Sequence, residues 1–260
     1  MLILNEENYA KSIYNGLNYD VKSLMTKIRY VTRYLIHSKC QCDEDVYVNT
    51  VQWLKKHHDN FDESCYSNVI SDAIKGAHKY PFYKIDSINI TQPELTAIAS
   101  LNDLRAEKIL FVLLCMAKQQ SKSNGFTNGL VKYSITDLCK MARISVPAED
   151  REYILHKLLK CGMIESPKKN DTKCLFVKII CDGEEVLSID ELDCQELAYV
   201  YLSWKNNGKG YTKCHRCHRL MKQSKTKPKK YCEECAKIVQ TEQKRLWAEK
   251  NRKNLTQQND

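Results

Sequence analysis

The sequence predicts a mainly α protein with small β hairpins, on three observations. Apolar residues recur at three- and four-residue steps through long stretches poor in the chain's 8 glycines and 5 prolines, as in helices with one buried face. The middle of the chain interleaves helical segments with short extended ones. Near the C-terminus stand two Cys-x2-Cys pairs, Cys214 with Cys217 and Cys232 with Cys235, fourteen residues apart, a spacing that closes a tetrahedral metal shell.

Residues 1–98 read as an N-terminal helical domain. Val21, Leu24, Met25, Ile28, Val31, Thr32 and Leu35 mark one amphipathic helix, and Val48, Val51, Trp53 and Leu54 mark a second over 46–57. A third runs over 64–78 with Cys65, Val69, Ile70, Ala73 and Ala77 inward. Tyr80-Pro81 ends it, because proline cannot continue a helix and drives its predecessor toward extended backbone. No motif assigns this part a function.

Residues 99–183 carry a more particular order. A strongly apolar helix over 104–119 leads to a short strand, Val131–Ile135, and Thr136 can cap a short helix over 137–142. Pro147 suits the first turn of a further helix reaching Lys160, and Gly162 suits its left-handed cap. Extended pieces at 163–165 and 174–180 flank a polar turn. Residues 184–210 read as a connecting helix and a linker, with Asn206-Asn207-Gly208-Lys209-Gly210 as turn formers.

Four thiolates about 2.3 Å from zinc satisfy the metal, and a module as small as 211–260 would draw most of its folding free energy from it. An iron–sulfur centre or a redox dithiol are the other uses of four cysteines. The flanking His215 and His218 are not needed as ligands. Cys40-x-Cys42 with His37, and His57-His58 further on, is a weaker metal candidate, since the single intervening residue splays the side chains and the surrounding Gln41, Asp43, Glu44 and Asp45 suit a polar turn. The remaining cysteines mostly fall on apolar faces, where Cys is a small core residue.

Charge is the second signal. The chain carries +9 overall, yet residues 205–260 hold sixteen Lys or Arg against five Asp or Glu, a local +11, and the rest sums to −2. The stretch between the cysteine pairs has no acid. A cationic footprint of this kind predicts nucleic-acid backbone as partner, with Arg216, Arg219, Lys222, Lys225, Lys227, Lys229, Lys230, Lys244 and Arg245 as contacts, joined by Lys168 and Lys169 at the polar turn of the middle domain. Tyr211, Tyr231 and Trp247 are too few stacking rings for a single-strand platform. One feature opposes groove reading: the helix after Pro147 opens with Glu149, Asp150 and Glu152 around a single Arg151, and acids there repel phosphates.

Enzymatic motifs are missing: no phosphate-binding Gly-rich loop, no His-Glu-x-x-His, no serine elbow. The apolar start is too short for a signal peptide, and the longest apolar run, 109–117, is too short to span a bilayer. Thirteen cysteines without a secretory signal fit a reducing cytoplasm.

The helix, strand, helix, turn, helix and hairpin of 101–181, with Ser-Ile-Thr-Asp-Leu-Cys-Lys-Met-Ala-Arg-Ile-Ser at 134–145, resembles the winged-helix superfamily. The tail, Cys-His-Arg-Cys with Tyr-Cys-Glu-Glu-Cys-Ala-Lys and the basic helix after it, resembles the zinc-ribbon tails of small proteins of phages and integrated elements of Gram-positive bacteria. These resemblances imply a DNA transaction such as replication initiation or transcription control. The alternative is an interaction factor that grips a host or replisome protein, with the basic tail auxiliary.

Overall fold

A computed structural model describes residues 2–16, 23–39, 42–125, 129–167, 174–224 and 226–256. The protein is mainly helical with small antiparallel sheets. It divides into two compact units, one of residues 3–87 with 122–125 and the other of residues 88–121 and 126–260 with the first two residues. No helix among the described residues is long and apolar enough to cross a membrane.

In the first unit α1 (Glu6–Tyr14), α2 (Leu24–Lys39), α3 (Asp43–His57) and α4 (Glu63–Lys79) pack with α2 at the centre. Ile28, Val31 and Leu35 of α2 meet Val46, Val51, Trp53 and Leu54 of α3 and Ile70, Ala73 and Ile74 of α4. Of the stripe that the sequence shows on α2, Ile28, Val31, Thr32 and Leu35 are buried in this core and Leu24 packs against it, Met25 is exposed, and Val21 lies outside the described residues. The ends are locally encoded: the Asn5 carboxamide accepts from Asn8 N at 3.0 Å, and Asp62 accepts from Ser64 N at 2.9 Å, each satisfying an orphan donor. Three acids open α3, and Lys55, Lys56 and His57 close it, matching the helix dipole. After α4 stops at Lys79, the chain returns beside residues 3–6, with Ile85 N donating to Leu4 O. The half-buried Arg33 pairs with Glu6 at 2.7 Å and lies over the Phe82 ring.

The described side chains of the weaker metal candidate are used otherwise. His37 Nε2 contacts Ala77 O, and the Cys42 thiol donates to Asp45; Cys40 lies outside the described residues. Among the described residues no metal-holding cluster forms there.

The second unit begins with β1 (Ile88–Thr91), which pairs antiparallel with β5 (Glu185–Ile189). The contact division thus falls between Ser87 and Ile88, ahead of the 98/99 boundary that the sequence suggests, and part of the expected connection at 184–210 is a strand. Pairing across almost a hundred residues leaves no local signature; only proximity after folding creates it. After β1 come α5 (Gln92–Ala99) and α6 (Leu104–Asn124). From Ile109 to Cys115 every residue of α6 is at most 1% exposed, the behaviour of a helix apolar on all sides.

Two fully buried carboxylates are built into this core. Glu94 accepts from Thr91 N at 2.8 Å, from Cys181 N at 3.3 Å and from Lys118 at 2.7 Å. Glu107 of α6 accepts from the Tyr201 hydroxyl at 2.9 Å and from Lys205. Burial and the Glu107 hydrogen bond push the Tyr201 phenol up, so it stays a donor. Such groups are tolerated inside because each finds partners.

β2 (Leu130–Lys132), α7 (Ile135–Met141), α8 (Ala148–Lys160), β3 (Ile164–Glu165) and β4 (Cys174–Val177) follow, with a three-stranded sheet in the order β2-β4-β3. Ile154 and Leu158 bury the inner face of α8. Asp103 ties α8 to α6: one oxygen caps Arg105 N at 3.0 Å, and the other holds Lys157 at 2.8 Å. The Lys157 hydrogen bond outweighs burial and holds the Asp103 carboxyl below its usual range. Gly162, at φ 67, completes a cap in which Gly162 N donates to Leu159 O and Met163 N to Leu158 O, a Schellman motif. The β3–β4 turn at 168–173, with Lys168 and Lys169, lies outside the described residues.

Candidate metal centre

A 3-10 turn (Asp193–Gln195), α9 (Leu197–Lys205), β6 (Tyr211–Lys213), β7 (Leu220–Lys222) and α10 (Glu233–Thr256) complete the chain. The turn formers at 206–210 close α9: Asn207 at φ 50 and Gly208 at φ 76 let Gly208 N reach Ser203 O at 2.7 Å. The sequence marks this segment as a linker; here it is a hydrogen-bonded cap, and Gln223 N donates back to Gly210 O at 2.8 Å. The Tyr199 and Tyr211 rings lie 5.8 Å apart, so α9 and the β6–β7 hairpin share packing.

β6 ends at the first cysteine pair and β7 begins after it. His218, at φ 59, turns the chain so that His218 N donates to Cys214 O and Cys214 N to Arg219 O. The second pair enters α10, whose first turn carries Cys235. Cys214, Cys217, Cys232 and Cys235 thereby converge, with all four sulfurs within 4.8 Å of one another and Cys217 and Cys232 at 3.7 Å. Four sulfurs at ~2.3 Å from one tetrahedral ion stand about 3.8 Å apart, so the cluster has the dimensions of a metal shell. Around it, among the described residues, Met221 adds a buried side chain, with Tyr231 half-buried against it.

The surroundings favour the anionic form at the first cysteine pair and the neutral thiol at the second. Cys232 N donates to Cys214 Sγ at 3.3 Å, and Arg219 Nε to Cys217 Sγ at 3.4 Å. Burial raises the Cys214 thiol, but backbone N–H groups of Cys217, Cys232 and Arg216 pull it down to about 6. Cys217 is likewise lowered, by Arg219 against burial. Cys235 is pushed up to about 12 by burial and by its sulfur neighbours. A metal-free cluster therefore offers a ready thiolate on the first pair, and capture of a cation by the remaining sulfurs releases their protons.

The cationic residues sort into two groups. Arg216 makes a two-pronged pair with Glu242 of α10, at 2.8 and 2.9 Å, and Arg219 bridges Cys217 to Glu234. Both arginines fasten α10 to the first cysteine pair. Lys222, Lys227, Lys229 and Lys230 are exposed instead, and no ion pair holds them among the described residues; Lys225 lies outside those residues. Lys244 and Arg245 lie on α10, whose exposed flank extends beyond the cluster.

One side chain that organises the lysines was not singled out from the sequence. Gln223 accepts from Lys229 N at 2.8 Å and donates to Lys229 O at 2.9 Å. It imitates a strand partner and closes the loop 224–228. A lone glutamine between lysines gives no local signal of that role.

No protein-family model, no curated protein and no solved structure matches the chain, so its functional assignment rests on this geometry.

Proposed function

We propose that residues 211–256 form a zinc ribbon whose loop binds nucleic-acid backbone, and that the protein serves a DNA transaction of the replication-initiation or transcription-control kind. The observation that carries this reading is the loop itself: Lys222, Lys227, Lys229 and Lys230 point to solvent with no acid between the cysteine pairs, on a frame closed by the cysteine cluster and the Gln223 clamp. Zinc suits the four-sulfur donor set, because it needs no redox partner and accepts a tetrahedral shell. When bound it supplies structure; the lysines meet the phosphates. The protein acts here by binding and not by catalysis.

The segment from α6 to β4 reads as a winged-helix-like module, its order of elements and β2-β4-β3 sheet supporting that reading. Its α8 is unsuited to phosphate, however, with Glu149, Asp150 and Glu152 exposed in the opening turns. That observation favours protein recognition as a second use of the chain.

The test is fluorescence anisotropy on labelled duplex DNA across a salt series. Replacing Lys222, Lys227, Lys229 and Lys230 together by Ala is expected to flatten the logarithmic salt slope by about 0.9 per lost phosphate contact. Zinc content should not change. Equal affinity and slope in the variant and the parent would remove the loop from the reading.

A further inference from the structure

α8 turns two unlike faces outward and inward. Ile154 and Leu158 fill the core, while the outer side still carries apolar groups: Tyr153 is 68% exposed and Leu159 40%. Between α8 and the β2–α7 connection lies a groove of about 660 Å³ lined by Tyr133, Ile135, Leu155 and Leu159, with Ser134, Glu152 and His156 as its polar members. Glu149, one turn before Glu152, extends the acidic rim. Neither glutamate has an ion-pair partner among the described residues; Asp150 and Lys157 are matched, with Arg105 at 3.9 Å and Asp103 at 2.8 Å. An apolar floor with uncompensated acids at its edge fits an apolar anchor beside a cation.

α10 carries such an anchor. Trp247 is 69% exposed, and the exposed Lys244 stands three residues before it, hence one turn away on the same face. Ile238, nine residues earlier, falls on the opposite side of the helix. A large indole held in water beside a lysine is the complement of the groove: the ring would lie on Leu155 and Leu159, and Lys244 would meet Glu149 and Glu152. Aromatic anchors seated in pockets carry much of the energy of interfaces.

We propose that the α8 groove binds the Trp247 turn of α10 from a second copy of this chain, each copy giving its helix and receiving its partner's, as a two-fold arrangement requires. This inference does not rest on the nucleic-acid reading, since the loop 222–230 takes no part in it.

Sedimentation velocity on the nuclease-treated full chain, over about 1 to 100 μM so as to cover weak affinities, tests it. A concentration-dependent monomer–dimer equilibrium is expected. Trp247→Ala should weaken it by about tenfold or more, and the charge reversals Glu149→Lys with Glu152→Lys should weaken it too. Adding Lys244→Glu to that reversed groove should restore dimerisation. All four positions are exposed, and zinc content and the helical circular-dichroism signal verify that each variant is folded. A chain that stays monomeric throughout, association indifferent to both Trp247→Ala and the glutamate reversals, reversals that fail to rescue each other, or association that nuclease abolishes would each overturn the proposal.

Discussion

Arg143 sits at a backbone position that usually belongs to glycine. At φ 48 it closes α7 by donating its N–H to Lys140 O, while Ile144 N reaches Cys139 O. A left-handed conformation costs a residue with a Cβ about 1–2 kcal/mol. The side chain offsets that cost: its guanidinium donates to the buried Glu196 at 2.9 and 2.6 Å and lies 4.4 Å over the Tyr199 ring. Lys108 also donates to its carbonyl at 3.1 Å. Arg143→Ala keeps the strain and strands the Glu196 carboxylate, so urea denaturation should show a loss of about 2 kcal/mol. Arg143→Gly relieves the strain and should lose about 1 kcal/mol less; if glycine proved as damaging as alanine, the strain would be negligible. Nothing in the sequence singles out this arginine, because its partner is more than fifty residues away.

The C-terminal module shows which elements a linear pattern can specify. Two residues between cysteines and a turn-forming His218 act locally, so the cluster of four cysteines was readable from spacing alone. α8 was readable for a similar reason, with Pro147 before its first turn and Gly162 after its last. The strands β1 and β5 were not, since neither is stable without the other and their pairing depends on everything folded between them. The orientation of Arg216 and Arg219 toward Glu242 and Glu234 was hidden too; a basic residue reads as a phosphate contact until a neighbouring helix supplies its carboxylate. The buried set Cys214, Met221 and Cys235 is too small to be a core in its own right. Chelation should therefore unfold residues 211–235 and leave the α6 core folded. Chromogenic zinc assay is expected to find one ion per chain, and hydrogen exchange after chelation should rise in the module only. Protection that survives complete metal removal would show the module to be held by packing.

Over the whole molecule, two cores are built on different principles. The first unit buries one stripe of each helix around α2, whereas the second surrounds α6 and takes two paired carboxylates inside. Leu35, 1% exposed in the first core, should cost about 2–5 kcal/mol when replaced by Ala. Hydrogen exchange should then accelerate through residues 24–79, with the amides of 106–117 and the zinc content unchanged; simultaneous loss in both would mean one cooperative core. The sequence by itself determined the helical class, the buried stripe of α2, the apolar run of α6, the stops of α4 and α8 and the four converging cysteines, because each depends on residues within a few turns of one another. Only the tertiary structure decided that the 206–210 segment is a cap, that β1 joins β5, that two arginines are spent on α10, and that α8 turns an acidic groove outward. Those features depend on which distant side chains become neighbours, and a neighbour's charge or hydrogen bond is set by the fold and by no local pattern.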